Sequence, residues 1–575
     1  HPFRKPSIAE TLAAVLHEPP ALNGDIPPGV LPVVRRLLEK SPDARYASAA
    51  NVHADLMRLN ASPSVSRDGA ARVGASARWK PAMWGALAIA LAFVGYLTMT
   101  ARGRQQSAVP NATSTIRSIA VLPLDNYSGD PKQEYFAEGM TDELTADLAT
   151  ISQLRVISRG SVMQFTGKDR PSTPEIGKRL NVDAVVEGSV SRSGDRVRIT
   201  AQLIDARADK SLWARSFERV SSDVLALQAE LASAIAHEVN VQLTPSEQSR
   251  LTTAPSVDPA AHDAYLKGRY FFNRPSDENL QKAIAQFESA VTLSPTFALA
   301  LSGLSDAYLW AGYNEGLITA TEARPRAKAA AEKAVELNEN SAEAHTSLAA
   351  FKLFYERDWA GCEREFRRAL ALNANYAFAH DQFGMALAFQ GRFDESIAEG
   401  TRAIELDPLS PQVLLDAALP FMFRGDTAAA RKLTQQAASL DPAFFFPAMV
   451  DGWADLEVGQ FREAIPALKR AKAMESPPFV TAFLAYAYGA AGDRAGAMAE
   501  LTDLEKRSTD GKVLPFNMAL VHLGLGERAR AIDDLEHALA ADSQMMAWIG
   551  RDAIFNSIRS EPRFVALLKK IGLDR

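Results

Sequence analysis

The sequence predicts a multidomain, mainly α chain: an α-solenoid of helical pairs, a small α/β domain, one transmembrane helix and a short helical segment. Three observations carry this reading. From Ala260 to Asp542, small residues, turn glycines and unit endings return about every 34 residues. From Ile116 to Leu243, short β-rich runs alternate with amphipathic ones. Between them and the amino end, residues 81–100 hold no charged side chain. At 575 residues a single core is excluded and several domains are expected. The net charge of −6 is modest, so no nucleic-acid field is implied. The lone cysteine, Cys362, excludes an internal disulfide framework and is expected to pack inertly in a repeat helix.

Residues 1–60 carry two apolar helical runs, Leu31–Lys40 and Ser48–Leu59, separated by Ser41-Pro42-Asp43-Ala44-Arg45-Tyr46. The string PPGVLPVVRRLLEKSPDARYASAANVHADL, with HPF and ETLAAVLHEPP ahead of it, resembles the end of the carboxyl lobe of a bacterial serine/threonine protein kinase. The resemblance gives Arg45 a structural role, a buried ion pair with a glutamate of the activation segment. That glutamate motif, the Gly-rich loop, the strand lysine and the HRD and DFG segments are all missing here. This chain is therefore expected to transfer no phosphate and to hold no cofactor. ATP and Mg belong to the kinase domain that the resemblance implies upstream. The chain opens on His1 and is expected to be the later part of a longer protein.

A polar linker, 61–80, leads to the charge-free run 81–100, long enough as a helix to cross about 30 Å of hydrocarbon. Trp79, Trp84 and Tyr96 lie near its ends, as interfacial anchors do. Arg67, Arg72, Arg78 and Lys80 precede it, whereas only Arg102 and Arg104 follow closely. The positive-inside rule then puts residues 1–80 in the cytoplasm and 101–575 outside it, in the periplasm of a single-pass inner-membrane protein. A second linker covers 101–115.

Residues 116–243 read βαβαβββα. Ser118–Leu122, Leu154–Ser158, Val182–Val190, Arg196–Ile204 and Leu212–Phe217 are the strands, and Ser193-Gly194-Asp195 a hairpin turn. Glu134–Thr150 and Val224–Leu243 are the longer helices. A short helix opens at Thr173-Pro174-Glu175, with Thr173 as cap. The segments IAVLPLDNYSGDPKQEYFAEGMTDELTADLA, DAVVEGSVSRSGDRVRITAQLIDA and LWARSFER resemble the amino-terminal domain of TolB and its relatives. That resemblance implies a sensing domain set between a membrane anchor and helical repeats. The acidic set Asp125, Asp130, Glu134, Glu138, Asp142 and Glu143 lacks calcium-loop spacing and is expected to be a solvated face. Gly167-Lys168-Asp169 fails the phosphate-loop pattern, and His237-Glu238 lacks the second histidine of a zinc helix.

After a linker, 244–259, the repeats run over 260–543 as about eight units. Ala369, Ala403, Ala437, Ala471 and Ala538 are the recurring small residues. Gly391, Gly425, Gly459, Gly492 and Gly526 recur in the turns, and Leu293-Ser-Pro, Leu406-Asp-Pro and Leu440-Asp-Pro end units. Helix, Gly turn, helix and Pro exit at this period is the tetratricopeptide pattern, which stacks into a superhelix with a concave binding face. Residues 544–575 are expected to cap the last unit. Matching to the repeat consensus sets Ser347, Phe351, Asp381, Met385, Leu415 and Leu419 on the inner helices, as candidates for holding a protein or peptide partner. The expected function is the sensor portion of a receptor-like kinase. A membrane-tethered scaffold without signalling, or the outer part of a cyclase or transcription regulator, are the alternatives.

Overall fold

The computed structural model describes residues 31–37, 52, 116–167, 170–252, 257–274, 276–313, 317–508 and 513–574. The chain divides into two units, 1–110 and 111–575. The first contributes one described helix, α1 (Leu31–Leu37). Arg45 and the run 81–100 lie outside the described residues. Among the described residues no helix is long and apolar enough to cross a membrane.

The second unit opens with the α/β domain. Its strands are β1 (Ser118–Val121), β2 (Asp125–Asn126), β3 (Arg155–Val156), β4 (Ala184–Ser193), β5 (Arg196–Asp205) and β6 (Lys210–Val220), in the order β3-β1-β4-β5-β6 with β2 also on β4. β1 is buried at every position because parallel strands flank it on both edges. β4 and β5 form an antiparallel ladder closed by Gly194, at φ +60°, and Asp195. β5 alternates exposed and buried residues, as a strand with one wet face must. Helix α2 (Glu134–Ala149), the short α3 (Arg159–Val162) and α4 (Thr173–Leu180) follow β2 and β3, and α5 (Val224–Glu238) and α6 (Pro245–Thr252) close the domain. Ser172 rather than Thr173 is the cap residue of α4, and its side chain makes no capping bond.

Eight helical pairs follow. Their first helices are α7 (Pro259–Phe272), α9 (Ala298–Tyr313), α11 (Ala342–Phe351), α13 (Ala377–Phe389), α15 (Pro411–Asp416) with α16 (Leu419–Phe423), α18 (Phe446–Glu457), α20 (Pro478–Ala490) and α22 (Pro515–Gly524). Their second helices are α8 (Asp277–Leu293), α10 (Ala320–Leu337), α12 (Trp359–Leu372), α14 (Phe393–Leu406), α17 (Thr427–Leu440), α19 (Phe461–Met474), α21 (Arg494–Ser508) and α23 (Arg528–Ala540). The recurring alanines are fully buried at 0% exposure, which lets paired helices touch. The recurring glycines take φ between +75° and +87°, where a side chain would be strained. Pro420 carries no amide to donate back to Asp416, and the fifth first-helix breaks there into α15 and α16. Cys362 is buried, and burial raises its thiol pKa.

The carboxyl segment is more than a terminal cap. Two 3-10 turns, Gln544–Gly550 and Ala553–Ile558, precede α24 (Pro562–Lys570). The turns run back from the eighth pair as far as the second, where the Gln544 side chain donates to the Leu309 carbonyl at 2.8 Å.

Candidate partner-binding face

The first helices at the middle of the array are buried on nearly every side. α11 buries nine of its ten residues and α13 eleven of thirteen. A surface helix shows one apolar stripe, whereas a helix covered all round is enclosed. Adjacent helices of the array do most of the enclosing, and two further parts of the chain pack against the ends of the first helices.

At the amino ends of these helices lies the α/β domain. Helix α2 crosses α7 so closely that a Cβ added at Gly139 would stand 2.7 Å from Leu266 Cδ2. Its acidic face meets cations and donors of the array and of α3 instead of water. Glu138 Oε1 accepts from Arg274 at 2.5 Å, and Oε2 from Arg159 at 2.9 Å. Arg159 also pairs with Asp142 at 2.6 Å. His262 contacts Glu143 at 2.7 Å. Burial alone would lower the His262 pKa, but the Glu143 charge and hydrogen bond outweigh it and the pKa is raised. The Tyr135 hydroxyl donates to Asp263 at 2.6 Å, and Arg192 reaches the same carboxylate at 3.0 Å. The expectation of a solvated acidic face is thus corrected for Glu138, Asp142 and Glu143. Asp125 pairs with Arg170 within the domain, while Asp130 and Glu134 are exposed.

Two consecutive unit endings also grip the domain. The Asn375 amide donates to the Leu154 carbonyl at 2.8 Å and to that of Ala149 at 3.0 Å, satisfying acceptors at and beyond the end of α2. Asp407 accepts from the Ser161 hydroxyl at 2.6 Å, and burial pushes its pKa up to about 6. The Ser158 amide donates to the Leu406 carbonyl at 2.7 Å.

At the carboxyl ends of the first helices lies the returning tail. Trp548 sits among Phe389, Trp453 and Phe423, with ring centroids 4.7, 5.0 and 6.5 Å away. Arg357 donates to the Ser543 carbonyl at 2.8 Å, and Glu457 accepts from the Ala553 amide at 3.1 Å. Trp359 donates to the Ile571 carbonyl at 2.6 Å, and Arg324 pairs with Asp542 at 2.5 Å.

The six residues expected to face a partner lie packed within the array. Ser347, Phe351, Asp381, Met385, Leu415 and Leu419 are all buried, none above 8% exposed. Ser347 donates to the Ser302 carbonyl at 3.4 Å. Asp381 faces the Asp416 carboxyl, and burial together with that neighbouring charge holds its pKa well above the usual carboxylate range. Neighbouring helices of the array do most of this burying, α9 and α12 around α11 and α14 beside α13. Sequence reasoning missed Asn375, Asp407, Glu457 and Trp548. Only Asp407 carried a signal, lying within the recurring Leu-Asp-Pro ending. Among the described residues no cluster of His, Cys, Asp or Glu could hold a metal ion.

Residues 108–212 match the family model of the TolB amino-terminal domain. The protein "Putative adenylate cyclase 3" of Rhizobium meliloti (strain 1021) is 34% identical over 232 residues, 40% of this chain. The chain spans 39% of that relative's length. Among solved structures, a human IFIT1 dimer with PPP-AAAA is 15% identical, covering 54% of this chain and 78% of its own at a TM-score of 0.38. A tetratricopeptide protein of Thermus thermophilus is 17% identical, covering 34% of this chain and all of its own at a TM-score of 0.30. The chain carries a TolB amino-terminal-like α/β domain joined to an array of tetratricopeptide type.

Proposed function

We propose that residues 116–574 form a protein- or peptide-recognition module, the sensor part of a membrane-anchored bacterial serine/threonine kinase. The observation that carries the module is the clamp of Glu138 between Arg159 and Arg274, which makes domain and array one mechanical body. A partner that shifts either element acts on both. The kinase-like string around Leu31–Tyr46 supports the enzymatic head, and the charge-free run 81–100 supports an anchor with the module outside the cytoplasm. A second reading, a cyclase with the same outer part, is favoured by the 34% identical relative.

The reading frame upstream of His1 separates these. Gly-rich loop, strand lysine, HRD and DFG elements there would support the kinase. A cyclase catalytic domain would replace it, and an immediate start codon would leave a tethered scaffold. Labelling of a single cysteine at 115 with a membrane-impermeant reagent in intact spheroplasts tests the orientation. A position reached only after lysis contradicts it.

A further inference from the structure

Trp548 and its neighbours occupy the array as a ligand would. The segment 543–558 forms no α-helix, yet it packs against the ends of successive first helices and buries Met546, Ile549, Ile554, Phe555 and Ile558. Its indole fills a box with one aromatic ring from each of three consecutive pairs, Phe389, Phe423 and Trp453. Its backbone is read by side chains of the array: Arg357 binds the Ser543 carbonyl and Glu457 the Ala553 amide. The site that receives it is itself specialised. α11 runs on into a π-helical turn, Lys352–Glu356, ending at Arg357 with φ +54°, a conformation strained for arginine. Such distortions cluster where a ligand is clamped.

The fit is incomplete. Ser543 Oγ, Trp548 Nε1 and Arg357 Nε are buried without a hydrogen-bond partner. Asp552 presents its carboxyl to that of Glu457, so two acidic groups meet in a buried contact. Each unmet polar atom weakens docking. A segment with the same indole but a neutral donor facing Glu457 would bind this surface better than the tail does.

We propose that the carboxyl ends of the first helices of pairs three to six are a recognition site for an aromatic-anchored peptide, and that residues 543–558 fill it in cis until a partner segment displaces them. The inference rests on reading the array as a peptide-binding module. Because the tail is tethered, it competes at high effective concentration, and a free peptide must overcome it.

The probe is a fluorescein-labelled peptide of residues 543–558 carrying Asp552→Asn, titrated by polarisation against the full chain. Trp548→Ala should release the tail and tighten peptide binding at least about tenfold over wild type. Adding Phe389→Ala should abolish that gain. Equal binding by wild type and a folded Trp548→Ala chain overturns the proposal. Self-association of the variant without peptide binding overturns the partner in favour of a second copy. Should Trp548→Ala not fold, hydrogen exchange of the wild-type chain decides. Amides of 544–558 should exchange at least about 100-fold faster than those of α13, reporting a local opening. Equal protection makes the tail ordinary core and overturns the proposal. Loss of the tail inference leaves partner binding elsewhere on the module untouched.

Discussion

Replacing Glu138 with alanine tests whether the α/β domain and the array are one body. Glu138 is buried, with its carboxylate taking a forked pair of bonds from Arg274, at 2.5 and 3.0 Å, and one from Arg159 at 2.9 Å. Breaking a buried ion pair by removing one partner costs about 3–5 kcal/mol, because the other charge is left uncompensated. Here the penalty is smaller. The Arg274 side chain is 37% exposed and can recover water, and Arg159 keeps Asp142. A loss of about 2–3 kcal/mol is therefore expected in urea unfolding of the 111–575 unit, followed by tryptophan fluorescence. The α/β domain should also begin to unfold ahead of the array. A double-mutant cycle with Arg274→Met should give a coupling of at least about 1 kcal/mol. A loss below about 0.5 kcal/mol, or no coupling, would refute the reasoning that this clamp joins the two parts.

Two further outcomes follow from the same interfaces. Asn375→Ala should lower stability by about 2–3 kcal/mol, since it strips the donor from the buried Ala149 and Leu154 carbonyls; unfolding midpoints check this, and Asn375→Asp should do no better. Burial lifts Asp147 to about 7 and Asp306, Asp407 and Asp416 to about 6, so between pH 4 and 7 the folded chain binds more protons than the unfolded one. Stability should therefore fall as pH rises through that window, and His262, whose pKa is raised, loses its share at higher pH in the same direction. Urea midpoints should be higher at pH 5.5 than at pH 7.5 by the equivalent of at least about 2 kcal/mol, and a flat or rising profile would contradict this.

What the sequence could show was set by whether a signal was local. The repeat was legible because each unit restates it, so Ala369, Ala403 and Ala437 fall at matching buried places and Gly391, Gly425 and Gly459 in matching turns. The strands of the α/β domain were legible from their runs and alternation, apart from β2, whose two residues give no period. The acidic face of α2 was misread for a physical reason. A carboxylate facing water and one facing an arginine 136 positions on have the same local sequence. The tail was misread likewise: 3-10 turns carry no 3.6-residue stripe, so nothing in residues 544–558 announced that they fold back over the array. The inner-helix assignment of Ser347 and Asp381 followed from the consensus, but their burial depends on residues of neighbouring units, Ser302 and Asp416.

The central claim is that the chain covers the inner helices of its own repeats. Thiol accessibility measures it most directly. In a Cys362→Ala background, Ser347→Cys and Met385→Cys would each be exposed to a maleimide, with Ser222→Cys as the exposed reference. The account predicts labelling at least about 100-fold slower at 347 and 385 than at 222, because reaction must await an opening of the module. Labelling at the rate of position 222 would mean that the inner face is open, and the account would be wrong.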